Sequence, residues 1–488
     1  MLKLKSLTVL VLQPSAQGDI FIGEDFAMDI RFHGAVRAVT GSCFHIEHNN
    51  INLLIDCGMF QGKDSEERNR SPFPFNPRDI DILILTHAHI DHIGLVPRLV
   101  KEGFKGKIIT TPATADLAEI MLLDSAHIQE KDAEWLSRKE MRAGRKPVSP
   151  LYSAEDVEDC LLFFDGRQYD SIETIEDGID FRFRDAGHIL GSAIVELWFK
   201  DRGGKRKCVF SGDIGRKGNP IVRDPSIIEE TDVVVTESTY GNRLHKSLHE
   251  TVEELFGIIS TTFNRGGNVL IPSFALGRTQ DILYILNGFV REGRFRELDV
   301  YLDSPLAEEA TEIYLSHPEC FDEEAFSLLT KGSLGGDAMR IHFTKDVTES
   351  QAINRIDSGA IIIAGSGMCE GGRIRHHLKH NLWRKECSIV FVGFQASGTL
   401  GRTIVDGAER VHIFGEDIAI KSGIHTLGGF SAHADRDELL GWIGNFKNTP
   451  EVIVVHGEES VSLNFAGFIK ERFGFKTSVP EIHQEFRI

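Results

Sequence analysis

The stretch Thr86-His87-Ala88-His89-Ile90-Asp91-His92 follows directly on the apolar run Ile82-Leu83-Ile84-Leu85. Four potential metal ligands therefore fall within six positions, behind a run short and β-rich enough to read as a buried strand. An open α/β sheet carries its chemistry on loops at the carboxyl ends of strands, and this cluster would lie on such a loop. An extended loop can aim His87 and His89, two positions apart, at one cation. Asp91 and His92 are adjacent, diverge, and can serve a second. Imidazole and carboxylate without thiolate suit Zn2+, Mn2+ or iron in a site that activates water. A helix is expected from Gly94 onward, with Leu95, Val96, Leu99 and Val100 as its apolar face.

Composition narrows the class. A chain of 488 residues with 41% hydrophobic and 26% charged residues has room for two or three domains and a large core. No apolar run approaches the ~20 residues of a membrane helix. The opening residues 1–27 read as a short tail or a strand rather than a cleaved signal. Seven cysteines, scattered and never in C-x-x-C spacing, exclude a disulfide framework and imply a reducing compartment, hence the cytoplasm. The formal net charge of −19 runs against an extended basic nucleic-acid footprint, although basic residues cluster at 202–207 and 373–384.

Taken in order, the chain repeats one theme: an apolar run that ends in a chemically active residue. Residues 28–47 read as strand, turn, strand. Ile51-Asn52-Leu53-Leu54-Ile55 ends in Asp56, and the alternating Phe181-Arg182-Phe183-Arg184 leads to Gly187-His188. Lys207-Cys208-Val209-Phe210 leads to Asp213, Val233-Val234-Val235-Thr236 to Glu237, and Val452-Ile453-Val454-Val455 to His456. Between 246 and 430, strand-like and helical runs alternate as in a parallel sheet flanked by helices. Gly277-Arg278 and Gly365-Ser366-Gly367 fall at strand-to-helix junctions there, where backbone N–H groups and an arginine can meet an anion. Asp435 is expected to cap a helix over 437–446. The charged run 129–146 reads as a solvated face or a mobile excursion rather than a binding arm, His127 as a lone histidine and not a ligand, and His245, His249, His376, His377 and His380 as surface histidines.

The pattern His87-x-His89-x-Asp91-His92 resembles the signature of the metallo-β-lactamase superfamily. Gly187-His188 resembles its third ligand motif, and Asp213 its metal-bridging carboxylate. Glu237-Ser238-Thr239-Tyr240-Gly241-Asn242 resembles motif A of the β-CASP group, Ser431-Ala432-His433-Ala434-Asp435 its motif B, and His456-Gly457-Glu458 its motif C. The likeness extends over residues 28–470. It is nearest to the endoribonuclease group that includes the pre-mRNA 3′-end-processing nuclease and its prokaryotic relatives. It implies an α/β fold: an αββα sandwich from residues 1–245 (1–27 an N-terminal extension) and 431–488, with a β-CASP α/β domain inserted at 246–430. The first 27 residues leave no room for the RNA-binding module that precedes the nuclease in many archaeal members.

The same resemblance implies a zinc-dependent ribonuclease, endonucleolytic and engaged in RNA processing or decay, that hydrolyses phosphodiesters by a metal-bridging hydroxide. Two Zn2+ are expected, with Mn2+ the alternative: one on His87, His89 and His188, the other on Asp91, His92 and His456, with Asp213 between them. Asp56 supports the metal loop. Asp91 is also counted among the catalytic residues, with His433 as general acid and Glu237 positioning it. Arg278, Ser366 and Gly367 are expected to touch the RNA backbone. The expected partner is single-stranded RNA, with no membrane and a homodimer left open. Two rival activities are a DNA-directed β-CASP nuclease and a small-molecule metallo-esterase or thioesterase. The histidine at motif C speaks against the first and the large insert against the second.

Overall fold

The structure is a computed structural model that describes residues 28–488 apart from 63, 202, 203, 332–337, 345, 394 and 397. The expected N-terminal extension, residues 1–27, lies outside the described residues, as does Arg202 of the basic cluster at 202–207.

A two-residue turn sets the register of the first sheet. Asn49 and Asn50 both take positive φ, 49° and 64°, the combination of a type I′ turn whose twist matches that of a hairpin. It joins Phe44–His48 to Ile51–Ile55. The sheet runs, in spatial order, Glu485–Arg487, Asp29–Phe32, Phe44–His48, Ile51–Ile55, Ile82–Ile84, Lys107–Thr110, Phe164–Gly166. Pairing is antiparallel as far as Ile51–Ile55 and parallel beyond it.

The second sheet begins as a meander of Glu173–Glu176, Ile179–Asp185, Ala193–Asp201 and Gly204–Phe210. It continues through parallel Val233–Thr236, Glu451–Val454 and Lys476–Ser478. Its alternation is legible side chain by side chain. Phe181 and Phe183 are buried, whereas Arg182 turns outward to Glu196 and Arg184 to Asp170. The two sheets enclose a core of Phe32, Phe44, Ile55 and Ile84 against Phe183, Phe199, Phe210 and Val235. Each fully buried phenylalanine there contributes roughly 2 kcal/mol of hydrophobic stabilisation. Helices Val96–Lys101, Pro112–Arg142 and Ala154–Leu161 cover the first sheet, and Arg436–Ile443 and Glu459–Phe473 the second. This is an αββα sandwich.

A third sheet, parallel throughout, forms the inserted α/β domain. Its order is Met339–Phe343, Leu298–Asp303, Ala360–Ala364, Val269–Pro272, Ser388–Phe391, Gly423–Thr426, with apolar clusters on both faces. The four inner strands are the apolar runs of the sequence. The outer two, Met339-Arg340-Ile341-His342-Phe343 and Gly423–Thr426, are half polar, which hid them from a hydrophobicity reading.

The insert is closed down on the sandwich. Ile189 and Leu190 pack with Leu276, Ala310 and Tyr314, His317 Nε2 lies 2.7 Å from Asp116, and Asp322 N–H donates to Ile221 O at 3.0 Å.

The helix expected from Gly94 runs over Val96–Lys101 and is preceded by a shorter one, Ile90–Ile93, formed by the metal motif itself with His89 at its N-cap. The charged run 129–146 is a solvated face as expected, most of it the exposed second half of one 31-residue helix, Pro112–Arg142.

Candidate active site

Every ligand expected from the sequence sits just beyond the carboxyl end of a strand, and the sandwich brings these ends to one edge. The metal loop is held from beneath by Asp56, whose φ is +60° and which is 1% exposed. Its carboxylate accepts hydrogen bonds from Thr86 N–H at 2.8 Å, Thr86 Oγ1 at 3.0 Å and Ser42 Oγ at 3.1 Å. It also meets His92 Nδ1 at 2.7 Å. Engaging Nδ1 leaves Nε2 as the free lone pair of His92. His456, itself at φ +49°, is fixed in a similar way by Thr239 Oγ1, 3.2 Å from its Nδ1.

The donors form two groups. His87 Nε2 lies 3.1 Å from His89 Nδ1, which lies 3.2 Å from His188 Nε2. Asp213 Oδ2 lies 3.4 Å from His87 Nε2 and 3.6 Å from His188 Nε2. In the other group His92 Nε2 and His456 Nε2 are 3.1 Å apart, and Asp91 Oδ2 is 3.6 Å from His456 Nε2. Asp213 Oδ2 is also 3.6 Å from His92 Nε2, so one carboxylate oxygen faces both groups. Four ligands around a tetrahedral zinc with bonds of about 2.0–2.1 Å stand roughly 3.3 Å from one another. The spacing and the donor types fit a pair of cations.

Electrostatics agrees with the geometry. Burial holds His87, His89 and His188 below the ordinary imidazole value, His89 at about 3, so these rings are neutral and free to ligate. Burial also works against ionisation of Asp91 and Asp213, but the facing imidazoles hold both below the usual carboxylate range. Burial opposes charge on His92 and His456 as well, yet Asp213 and neighbouring carboxylates outweigh it and raise both. A dication would take the place of those protons.

Beside the second sheet's edge, Asp213, Glu237 and His433 form a third cluster. His433 Nδ1 lies 3.2 Å from Glu237 Oε2 and 3.9 Å from Asp213 Oδ2. Burial would lower His433, but Glu237 and Asp213 prevail and raise it to about 9. Two cations nearby would pull that value back toward neutrality.

Comparison with known proteins follows the same lines. The metallo-beta-lactamase superfamily matches residues 36–257, the Beta-Casp domain 279–404, and the Zn-dependent metallo-hydrolase RNA specificity domain 417–480. The chain is 39% identical over 427 residues to Ribonuclease TTHA0252 of Thermus thermophilus, covering 87% of this chain and 92% of that one. The chain belongs to the Beta-Casp branch of the metallo-beta-lactamase superfamily. It is 31% identical over 476 residues to Transcription termination factor FttA of Methanocaldococcus jannaschii, covering 95% of this chain and 72% of that one. To the RNase J-like protein of the same organism it is 33% identical over 454 residues, covering 92% and 97%. A solved structure, a protein of unknown function from Enterococcus faecalis V583, shares the fold at TM-score 0.56 and 11% identity, covering 95% of this chain and 100% of that one. This is a family of metal-dependent hydrolases.

Within the Beta-Casp insert the three residues expected at the RNA backbone sit at two adjoining junctions that follow strands. Arg278 opens the helix Arg278–Arg291 and is paired with Asp281 at 3.3 Å. Ser366 and Gly367 lie on the loop after Ala360–Ala364, and a Cβ on Gly367 would stand 2.9 Å from the Phe274 ring of the other junction.

Two of the histidines read as surface residues are not. His377 is 0% exposed, with Nε2 2.6 Å from Asp303 and Nδ1 3.0 Å from Asn354. His245 is half-buried with its ring 4.6 Å from that of Tyr240, and its backbone N–H donates to Asp435 at 3.0 Å. Helical spacing carried no sign of either, because the Asp303 that holds His377 is far away along the chain and the segment that lays His245 on Tyr240 is not helical. His249, His376 and His380 are exposed. Sequence reading also missed Ser42, Thr86 and Thr239 as supports of the ligands. Thr86 and Thr239 were signalled by their place, each a hydroxyl within a few positions of a strand end, whereas Ser42 precedes its strand and carried no such sign.

Proposed function

We propose that the chain is a zinc-dependent ribonuclease that hydrolyses RNA phosphodiester bonds, acting as an endonuclease in RNA processing or decay. The observation that carries this reading is the convergence of His87, His89, His188, Asp213, Asp91, His92 and His456 beside a His433 held by Glu237. The names of the relatives, Ribonuclease TTHA0252 and RNase J-like protein, and the RNA specificity domain at 417–480 support RNA as the substrate.

Two zinc ions held by the two donor groups, with Asp213 between them, would activate a water and offset charge on the phosphoryl oxygens. Asp91 serves in the second group. The remaining work falls to the chain's own residues. Glu237 orients the His433 ring through Nδ1, so that the proton on Nε2 is delivered to the departing 3′ oxygen. Cleavage leaves a 5′-phosphate and a 3′-hydroxyl. Arg278, Ser366 and Gly367 hold the backbone of a single strand, Arg278 after exchanging Asp281 for phosphate. The seven buried free cysteines support a reducing, cytoplasmic setting, and no helix among the described residues is long and apolar enough to cross a membrane.

The test is metal analysis of the purified protein together with cleavage of 5′-labelled RNA, matched DNA and a panel of acyl esters, with product ends mapped. RNA cleaved with 3′-hydroxyl ends and about two equivalents of metal is the expected result. Preference for DNA or for the esters would reassign the substrate.

A further inference from the structure

The main chain crosses between sandwich and insert twice, outward through residues 240–247 and back through 428–435. Arg216, three residues beyond Asp213 and 8% exposed, touches both crossings. Its Nη1 donates to Gly429 O on the return crossing, and its Nη2 to Lys246 O on the outward one at 3.4 Å. Its backbone N–H donates to Ala432 O at 3.2 Å, one residue before His433. The preceding Gly215 pairs with His433 itself in an isolated antiparallel bridge.

The crossings are also tied to one another. Arg436 N–H donates to Arg243 O at 3.1 Å, and His245 N–H to Asp435 at 3.0 Å. There is little slack between them, since a Cβ on Gly429 would stand 3.1 Å from Lys246 O, and 1.9 Å from Thr251 Oγ1 on the helix that follows the outward crossing. Among the described residues no carboxylate lies within 4.0 Å of the Arg216 guanidinium, and its Nε is buried without a hydrogen-bond partner. Asp281 lines the same pocket as Arg216 without direct contact, so the hydrogen bonds of the guanidinium go to main chain of the two crossings.

We propose that Arg216 is a positioning residue for phosphodiester cleavage: it fixes both interdomain crossings against the Asp213 loop and so sets where His433 meets the leaving oxygen. This rests on the ribonuclease reading above. It makes the metal loop, the general acid and the seating of the insert one mechanical unit, with a single side chain at the junction.

The experiment compares wild type, Arg216→Ala, Arg216→Lys and His433→Ala, each metal-loaded and checked for metal content and melting temperature. The substrates are a single-stranded RNA and the same RNA with sulfur in place of the bridging 3′ oxygen at the scissile bond. A thiolate leaves without being protonated, so this substrate bypasses the general acid. Arg216→Ala is expected to lose about 100-fold in kcat on the oxygen substrate, the scale of an ångström-sized misplacement. Its KM should stay within about twofold and its loss on the sulfur substrate should be only a few-fold, paralleling His433→Ala. Arg216→Lys, which reaches one carbonyl, should fall between, and it carries the test if the alanine variant does not fold. Equal losses on both substrates, or no loss on either, overturn the proposal while the ribonuclease reading stands. A wild type that cleaves neither RNA overturns both.

Discussion

Glu237 binds His433 and the Asp213 loop at the same time. Its Oε2 lies 3.2 Å from His433 Nδ1, while its Oε1 accepts the Ile214 N–H at 2.6 Å. One carboxylate, at the end of Val233–Thr236, thereby joins the imidazole that returns from the insert to the residue next to the shared metal ligand. This buried contact ties His433 to the Asp213 loop directly, in addition to the loops that carry them.

The role of His433 can be separated from ligation. His433→Ala should lower kcat for RNA cleavage by at least about 100-fold while retaining bound metal, measured by elemental analysis of the same sample. Loss of metal in this variant would make His433 a ligand.

Asp56 touches His92 and not the cation site. Asp56→Asn keeps the shape but weakens acceptance from His92, Thr86 and Ser42. Metal affinity should drop roughly 10–100-fold, read by competition with a chelator, with a melting temperature close to wild type once metal is saturating.

Asp303 is the buried node of the insert. It accepts from Ser350 at 2.6 Å, Arg373 at 2.7 Å, His377 at 2.6 Å and also from Thr344. Burial alone would raise its pKa, but these hydrogen bonds hold it well below the usual carboxylate range. The folded value therefore lies below the unfolded one, and the stabilisation is present above the unfolded pKa and lost as pH falls. Asp303→Ala should cost roughly 3–5 kcal/mol in urea unfolding, and its acid destabilisation should be shallower than that of wild type.

The contact of His317 with Asp116 should make seating of the insert depend on pH. Burial lowers His317, but hydrogen bonds to Asp116 and Glu319 outweigh it and raise its pKa. The contact is thus fully present below the unfolded value and weakens as pH rises through the folded one. Both carboxylates are exposed, 56% and 44%, so the effect is modest. Protease cutting at residues 240–247 should increase between about pH 6 and about pH 9. In His317→Ala it should be higher throughout and flat.

Much of the site was legible before any coordinates, and the reason is local. A ligand must stand just past the end of a buried strand, and strand plus ligand occupy few enough residues to be read as one word: Ile82-Leu83-Ile84-Leu85 before His87, Val452-Ile453-Val454-Val455 before His456. Unbroken apolar runs likewise marked the four inner strands of the third sheet, because burial on both faces demands them, whereas Lys107–Thr110 and Ala193–Asp201 were not read as strands. What the linear chain determined by itself was which residues could ligate a cation and in what order the strands present them.

Tertiary structure alone decided which of those residues meet. Buried hydrogen bonds between distant positions leave no trace in local pattern: Asp303 with His377, Asp56 with His92, Arg216 with Gly429 and Lys246. His377 looked like a surface histidine for that reason, and Arg216 looked like any arginine after a glycine. Their partners are supplied by packing of one layer on another, since a polar group taken out of water must find a partner wherever the fold happens to bring one.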